Sequence, residues 1–466
     1  MKTFFVKKCE LTGRFDPNYY KASREDFFRK LKSGKYMTRL KEVIRDGAYG
    51  TLPPGDCYAD INPISLLRAT DLMPNLSIYK NNVKKVPQKF FDNHKRCRLQ
   101  KNDILIAVKG ATIASKKCIA FIDEEQFNTI INGSIFRFQC RQGINPKYIA
   151  NMLELNISKK QMKMNLVANN AVDYLDKPLL NNLLVHLPNL ETQNMIVSKM
   201  DSAYEAKKIK EAQAQKLLDS IDEYLLGELG ITLPEEKELK IEDRMFFRKI
   251  SEVSCIRHDP NYHSNIKLLN KLSIRHKFKK LKDLIVGKPQ YGANESAVDG
   301  NCDKDIRYIR ITDIDNYGNL KDDCWMTAAK TDDRYLLKNN DLLFARSGSV
   351  GRAFLYKKDY GQAIFAGYLI RFKLNQSIIL PEYLLFYTFT RLYKYWVNSI
   401  HRPAVQSNIN SQEYKELPIP LPDMKLQKKL VANITAIREK AQQLRDEAIN
   451  GLEKAKKEVE TMILGN

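Results

Sequence analysis

The sequence predicts an α+β protein built twice over, and three observations carry that prediction. Apolar blocks of four to seven residues, rich in Ile, Val, Phe and Tyr and bounded by Gly, Asn or Asp, read as strands; DILIAV from Asp103 and AGYLIRF from Ala366 are examples. Stretches that open with a proline, around Asn145 to Leu155 and Pro381 to Trp396, read as helices, because a first turn needs no amide donor there. The same ordered set of segments then occurs a second time, and each copy ends in one long amphipathic helix. The expected architecture is two repeated domains joined by two long antiparallel coiled-coil helices.

The repeat can be followed along most of the chain. FFVKKCELTGRFDPNYY from Phe4 returns as FFRKISEVSCIRHDPNYH from Phe246, and LKEVIRDGAYG from Leu40 as LKDLIVGKPQYG from Leu281. LRATDL from Leu67 matches IRITDI from Ile309, NDILIAVKGAT from Asn102 matches NDLLFARSGSV from Asn340, and GSIFRF from Gly133 matches GYLIRF from Gly367. The offset between the copies drifts, so insertions and deletions sit in loops between shared elements. Two halves share one fold and differ in their loops.

The long helices begin at LPNLETQ from Leu187 and LPDMKLQ from Leu421. Asn189 and Asp423 stand at the N-cap, with Gln193 and Gln427 four residues later, and glycines (Gly227, Gly230 and Gly465) follow near the ends. Apolar residues at heptad spacing form the expected pairing seam: Ile196, Met200, Leu217 and Ile221 in the first helix, Leu430, Ile434, Ile437 and Leu444 in the second. Lys207 and Lys210 interrupt the first seam, and the phase slips between Ala448 and Leu452 in the second, so neither helix suits a random partner. Each is expected to pair with the other. At ~1.5 Å per residue such a helix is a rod of roughly 60 Å. The expected divisions are a first domain over residues 1–187, a helix over 188–230, a charged linker over 231–244, a second domain over 245–421 and a final helix over 422–466.

Seventy-seven Lys and Arg against 55 Asp and Glu give a net charge of +22 in 466 residues, which points to a polyanionic partner. No apolar run approaches the ~20 residues that span a bilayer, and MKTFFVKKCE lacks the apolar core of a signal peptide, so a cytoplasmic nucleic-acid-binding protein is expected. The eight cysteines form no CxxC pair and read as reduced core thiols; His94 and Cys97 have ligand-like spacing but no second pair, and no metal site is expected. Catalytic motifs are missing. The repeated DPNY at Asp16 and Asp259 lacks the second proline of the pocket in which amino-methyltransferases hold a flipped base, no Gly-rich turn for S-adenosylmethionine lies upstream, and Asp-Pro-Asn is a plain turn former. There is likewise no Walker loop, no HExxH and no nuclease-like arrangement of carboxylates and lysine. No catalytic residue is assigned.

What remains is a set of loops suited to DNA. Lys109, Gly110, Thr112, Ser115, Lys116 and Lys117, and their counterparts Arg346, Ser347, Gly348, Ser349 and Arg352, combine small residues that let backbone approach a phosphate with cations and hydroxyls. The polar runs before the long helices hold Asn169 and Asn170 in one copy and Arg402, Gln406 and Asn408 in the other, which are types that make bidentate base contacts. A third pair of turns carries Tyr49 and Gly50, and Tyr291 and Asn294.

Two α+β halves, each with NDxL in its middle and each closing on LPNLETQ or LPDMKLQ before a long helix, resemble the DNA-specificity subunit of Type I restriction-modification enzymes over essentially the whole chain. The resemblance implies a non-catalytic subunit whose two target-recognition domains each read half of a split double-stranded DNA site, with the helices setting the spacer. It implies two methyltransferase subunits docked around the helices and a restriction subunit with motor and nuclease domains, in a prokaryotic cytoplasm. S-adenosylmethionine, ATP and Mg are then expected on those partners and none on this chain. Two other readings stay open on the residues alone: a specificity subunit serving one fused methyltransferase-nuclease, and a stand-alone DNA methyltransferase.

Overall fold

Strand Ile135–Cys140 buries all six of its residues, an arginine among them, and much of each domain follows from satisfying that demand. The computed structural model describes residues 31, 34–55, 61, 63–79, 83–164, 173–233, 247, 272, 276–321, 325–400 and 408–464. Both DPNY turns, most of the expected linker, Asn169, Asn170, Arg402 and Gln406 lie outside them. The chain forms two compact units: one takes residues up to Glu211 together with 446–466, the other residues 212–445. Each long helix therefore contributes one part to each unit.

In the first unit strands β1 (Ile44–Tyr49), β2 (Ile104–Ala107), β3 (Ile119–Phe121) and β4 (Ile135–Cys140) form an antiparallel sheet ordered β1-β4-β2-β3. The buried Arg137 of β4 donates to both carboxylate oxygens of Asp103 at 2.8 and 2.6 Å, and to Asp46 at 3.2 Å. Asp103 reaches it because Asn102 turns the chain at a φ of 69°, a conformation that asparagine tolerates better than most residues. The ND and FRF motifs are two halves of one buried ion pair. Beside the sheet, Ile64–Leu67 runs parallel to Thr129–Ile131. Gly50, just past β1, passes so close to that pair that a Cβ would lie 2.1 Å from the Asn132 carbonyl oxygen.

The second unit repeats this plan. Strands β5 (Gln290–Tyr291), β6 (Leu342–Ala345), β7 (Ala353–Leu355) and β8 (Leu369–Phe372) are ordered β5-β8-β6-β7, and Arg307–Ile309 runs parallel to Ala363–Phe365. Asn340 has a φ of 70°, Arg371 donates to Asp341 at 3.1 Å, and a Cβ on Gly292 would lie 2.3 Å from the Ala366 oxygen. The LRATDL and IRITDI segments are turns closed on themselves, Arg68 on Asp71 and Arg310 on Asp313, each through backbone and guanidinium. In both units a short strand before the sheet, Met37–Arg39 or Phe278–Lys280, pairs with the strand that leads into the long helix, Leu184–His186 or Pro418–Pro420.

Helices follow the sheets. Helix α1 (Pro146–Glu154) has its proline in the first turn, caps on Asn145, and is followed by α2 (Asn156–Met164). The single helix expected over Pro381–Trp396 is instead two, α4 (Pro381–Tyr387) and α5 (Arg391–Ile400). The hydroxyls of Thr388 and Thr390 donate to the carbonyls of Leu385 and Tyr387, competing with helical amides at the break.

Helix α3 (Leu190–Glu228) and helix α6 (Met424–Leu464) are the long pair. Asn189 and Asp423 cap them, accepting from Thr192 N at 3.0 Å and Leu426 N at 2.7 Å. The buried Gln193 accepts from Asn145 N and donates to Pro188 O; Gln427 accepts from Leu380 N and donates to Pro422 O and Ile378 O. Each glutamine of the repeated motif thus fastens its long helix to the start of an earlier one, α1 for Gln193 and α4 for Gln427. Gly227 and Gly451 lie inside continuous helix, and α3 stops where Gly230, with a φ of 65°, lets Ile231 N reach Leu226 O.

The pairing register is legible inside each unit. In the first, Lys199 meets Glu458 and Lys210 meets Glu447, so moving along α3 is matched residue for residue by moving back along α6. In the second, Asn433 donates to Tyr224 and Lys429 pairs with Glu228 in the same antiparallel sense. Ile196 and Met200 are buried with Leu452, Ala455, Val459 and Ile463 in the first unit's core, and Ile221, Leu430 and Ile434 in the second's. Leu217, Ile437 and Leu444 pack partly buried at its edge; the deeper positions in α3 are Leu218 and Leu225, one residue further on. Lys207 reaches Asn75 at 3.2 Å and Glu211 at 3.4 Å. No helix of the described residues is long and apolar enough to cross a membrane.

Candidate nucleic-acid interface

The loops singled out in the sequence leave the sheet at the ends of β2 and β6, and the structure separates those held by the protein from those left open. In the second unit Ala345 ends β6 and Arg346 follows. Its backbone is pinned on both sides: Arg346 N donates to Tyr368 O and Ile409 N donates to Arg346 O, both at 2.9 Å. The next residue, Ser347, is buried and pairs with the exposed Asn408 in an antiparallel bridge. The Arg346 guanidinium lies 5.0 Å from the centre of the Tyr291 ring. Tyr291 is itself held, its hydroxyl donating to Ser411 Oγ at 3.2 Å and accepting from Ser411 N at 3.1 Å. Gly348, at a φ of 75°, and Ser349 are exposed, as is Asn294. Arg352 differs: its guanidinium donates to Ile311 O at 3.2 Å, Ile314 O at 2.8 Å and Asn316 Oδ1 at 2.9 Å, so it braces a turn and has little left to offer a ligand.

In the first unit β2 is followed by the buried Val108 and then Lys109, which bridges to Tyr174 and carries its ammonium 5.5 Å from that ring. Gly110, at a φ of 77°, donates its N–H to Asp173 O at 3.0 Å. The Thr112 hydroxyl donates to Lys109 O, and Ser115 Oγ accepts from Lys117 N, so both are turned toward their own loop. Lys116 and Lys117 are exposed. Tyr49 is half-buried beside Tyr174 and donates to Leu175 O at 3.2 Å. Burial first, then the neighbouring Tyr174 and Asp176, hold its phenol well above the usual tyrosine range, so it stays a protonated donor.

The structure therefore brings Lys109, Gly110 and Tyr49 together around Tyr174, and Arg346, Ser347 and Asn408 together around Tyr291. Gly50 serves close backbone approach. Sequence reasoning missed Tyr174 and Ser411, which hold the aromatic side of each cluster; the only signal was position, four residues beyond Asn170 and three beyond Asn408. His94 bonds to Phe90 O and Cys97 to Tyr49 O, which commits both. Cys97, Cys118 and Cys140 are buried, whereas Cys302, expected in a core, is exposed. A cavity of about 620 Å³ behind the Ser349–Arg352 turn is lined by Asp219, Asp222 and Glu223 as well as Arg391 and Lys394. Its three carboxylates are matched by Arg352, Arg391 and Lys394, so the lining has no net positive charge to draw a polyanion.

A family model described as the Type I restriction modification DNA specificity domain matches residues 35–219 and again 275–454. The specificity subunit of the Type I restriction enzyme EcoBI from Escherichia coli is 28% identical over 209 residues, 44% of this chain, and the match spans 39% of that relative's length. Among solved structures, a chain from a study of complex assembly and conformational transition in the type I R-M system is 15% identical with a TM-score of 0.46, covering 93% of this chain and 97% of that one. The S subunit from M. genitalium is 10% identical with a TM-score of 0.38, over 90% and 94% of the two chains. The HsdS subunit from Thermoanaerobacter tengcongensis is 13% identical with a TM-score of 0.32, over 92% and 96%.

Proposed function

Because the chain belongs to the family of Type I restriction-modification DNA specificity domains, we propose that it supplies the DNA sequence preference of such a system, one domain per half of a bipartite site. The observation that carries the reading is the division of labour within the repeat. Residues shared between copies, such as Asp103 and Asp341 or Gln193 and Gln427, are consumed inside the fold, while the exposed cluster is Lys109 with Tyr174 in one copy and Arg346 with Tyr291 in the other. A protein that needed only to coat DNA would not need two surfaces. The net charge of +22 supports phosphate contacts, which are steeply salt-dependent. Methylation itself, with S-adenosylmethionine, falls to methyltransferase subunits docked along the long helices, and cleavage to an ATP- and Mg-dependent restriction subunit.

Methylation mapping in a host carrying this gene with its methyltransferase tests the reading. The expected result is two dissimilar half-sites around an unspecified spacer; a palindromic or unsplit motif overturns it. The spacer role has its own test. Glu211 and Arg445 lie near level positions in the helix register, so one heptad inserted after each lengthens the pair by about 10 Å at ~1.5 Å per residue. At ~3.4 Å per base pair the spacer grows by about three base pairs with both half-sites unchanged. An active variant with an unchanged spacer shows that the helices do not measure DNA.

A further inference from the structure

Most arginines of the second unit are committed to the fold. Arg307, Arg310, Arg334, Arg352, Arg371 and Arg391 each donate to a carboxylate or a carbonyl of the protein. Arg346 has no such acceptor among the described residues, and its Nε is buried without a partner. A guanidinium that has lost water at one nitrogen and gained no acceptor for it is costly unless something outside the fold completes it.

The surroundings of Arg346 restrain it. Its main chain is tied at both N and O, its guanidinium lies over Tyr291, and that ring is clamped by two hydrogen bonds to Ser411. A planar fork laid on an immobile ring has surrendered much of its rotamer freedom before any ligand arrives, which lowers the entropic cost of a bidentate contact. Beside it stand the exposed Gly348 and Ser349, which leave the approach open. An acceptor pair in one plane at fork spacing is what guanine shows in the major groove through O6 and N7; a phosphate needs only charge and would not need the ring.

Among its described residues the first unit has no arginine at this place. Val108, at the place of Arg346 in the repeat, is buried, and the cation one residue on is Lys109, a point charge with three rotatable donors.

We propose that Arg346, oriented by Tyr291, is a specificity-determining residue that reads a guanine in the half-site of the second unit, and that the first unit reads its half-site without an arginine at this place. The inference rests on the proposed DNA-reading function. Its test is methylation mapping of the whole system with wild type, Arg346→Lys and Arg346→Gln, alongside Tyr291→Phe. Wild type should show a bipartite motif with a guanine in one half-site. Both Arg346 variants should lose about 10- to 100-fold discrimination at that single position, with glutamine moving preference toward adenine, while the other half-site and the spacer stay as they were. Tyr291→Phe keeps the ring but loses the clamp and should relax the same position less. If wild type directs no bipartite methylation, the functional reading itself fails. If wild type does and the Arg346 variants keep full discrimination at every position, or weaken all positions evenly, Arg346 is a phosphate contact and the inference is overturned. Should a variant give no methylation, competition binding of the assembled complex to oligonucleotides altered one pair at a time gives the same readout: a flat penalty counts against the assignment, and a single-position change supports it.

Discussion

Arg137 in the first unit and Arg371 in the second occupy the same strand position, are equally buried, and are met by an aspartate that a left-handed asparagine delivers. Their outer shells differ. Arg137 has a second carboxylate, Asp46, whereas Arg371 has Gln290 and the carbonyls of Leu336 and Arg334. At the loop five residues beyond each aspartate the copies part, with buried Val108 against Arg346 and Tyr174 against Tyr291 as the aromatic partner, although Gly110 and Gly348 keep the same left-handed turn. In this duplicated chain the kept Asp–Arg and Gln motifs are consumed by the fold, and the cation beside each aromatic ring is where the copies part. The repeated glycines Gly50 and Gly292 are likewise required by close backbone approach.

The comparison can be broken at four points. Asp341→Ala leaves Arg371 buried without a carboxylate and should cost about 3–5 kcal/mol in denaturant unfolding of the whole chain. Asp103→Ala should cost less, because Asp46 still faces Arg137; a larger loss for Asp103→Ala would show that the outer shells do not matter. Gly50→Ala and Gly292→Ala force a Cβ onto a carbonyl oxygen and should each reach or exceed the roughly 3 kcal/mol at the top of ordinary overpacking. Equal and small losses would mean that the backbone yields easily at both places. Gln193→Ala and Gln427→Ala strand one buried amide each and should cost roughly 1–3 kcal/mol. The second is expected to be larger, since Gln427 also serves Ile378 O.

The smallest effect is a pH difference. His186 lies in a short strand where the second unit has Pro420, and burial lowers its pKa below the ordinary 6.5. The unfolded chain therefore takes up this proton first, so the contribution of His186 is complete above about 6.5 and declines as pH falls below it. Between pH 7.5 and 5.5 wild type should lose more of its denaturation midpoint than His186→Gln. Identical losses would show that His186 does not titrate in this window.

Much of the architecture was legible because duplication shows each element twice: the strands around DILIAV and SIFRF, the proline-led helices and the caps on Asn189 and Asp423 all stand in the sequence. The two-helix break after Tyr387 was not, since Thr388 and Thr390 are compatible with helix until their hydroxyls find carbonyls. The site was legible only as loops. That Arg352 is spent on Ile311, Ile314 and Asn316 while Arg346 is not depends on contacts between segments tens of residues apart, which no local pattern reports. The same holds for Ser411, whose hold on Tyr291 spans 120 positions.

The first unit is closed by a segment far downstream. Glu460 accepts from Ile157 N across 303 positions, Lys456 reaches Glu154 across 302, and Leu452, Val459 and Ile463 fill the same core. The second unit is one uninterrupted stretch of chain. Domains emerging from the ribosome usually fold in the order in which they are made, yet here the earlier-made unit must wait, part of its apolar surface uncovered, until synthesis has passed through the whole of the later one. Over that interval the places that Leu452, Val459 and Ile463 fill in its core stay open.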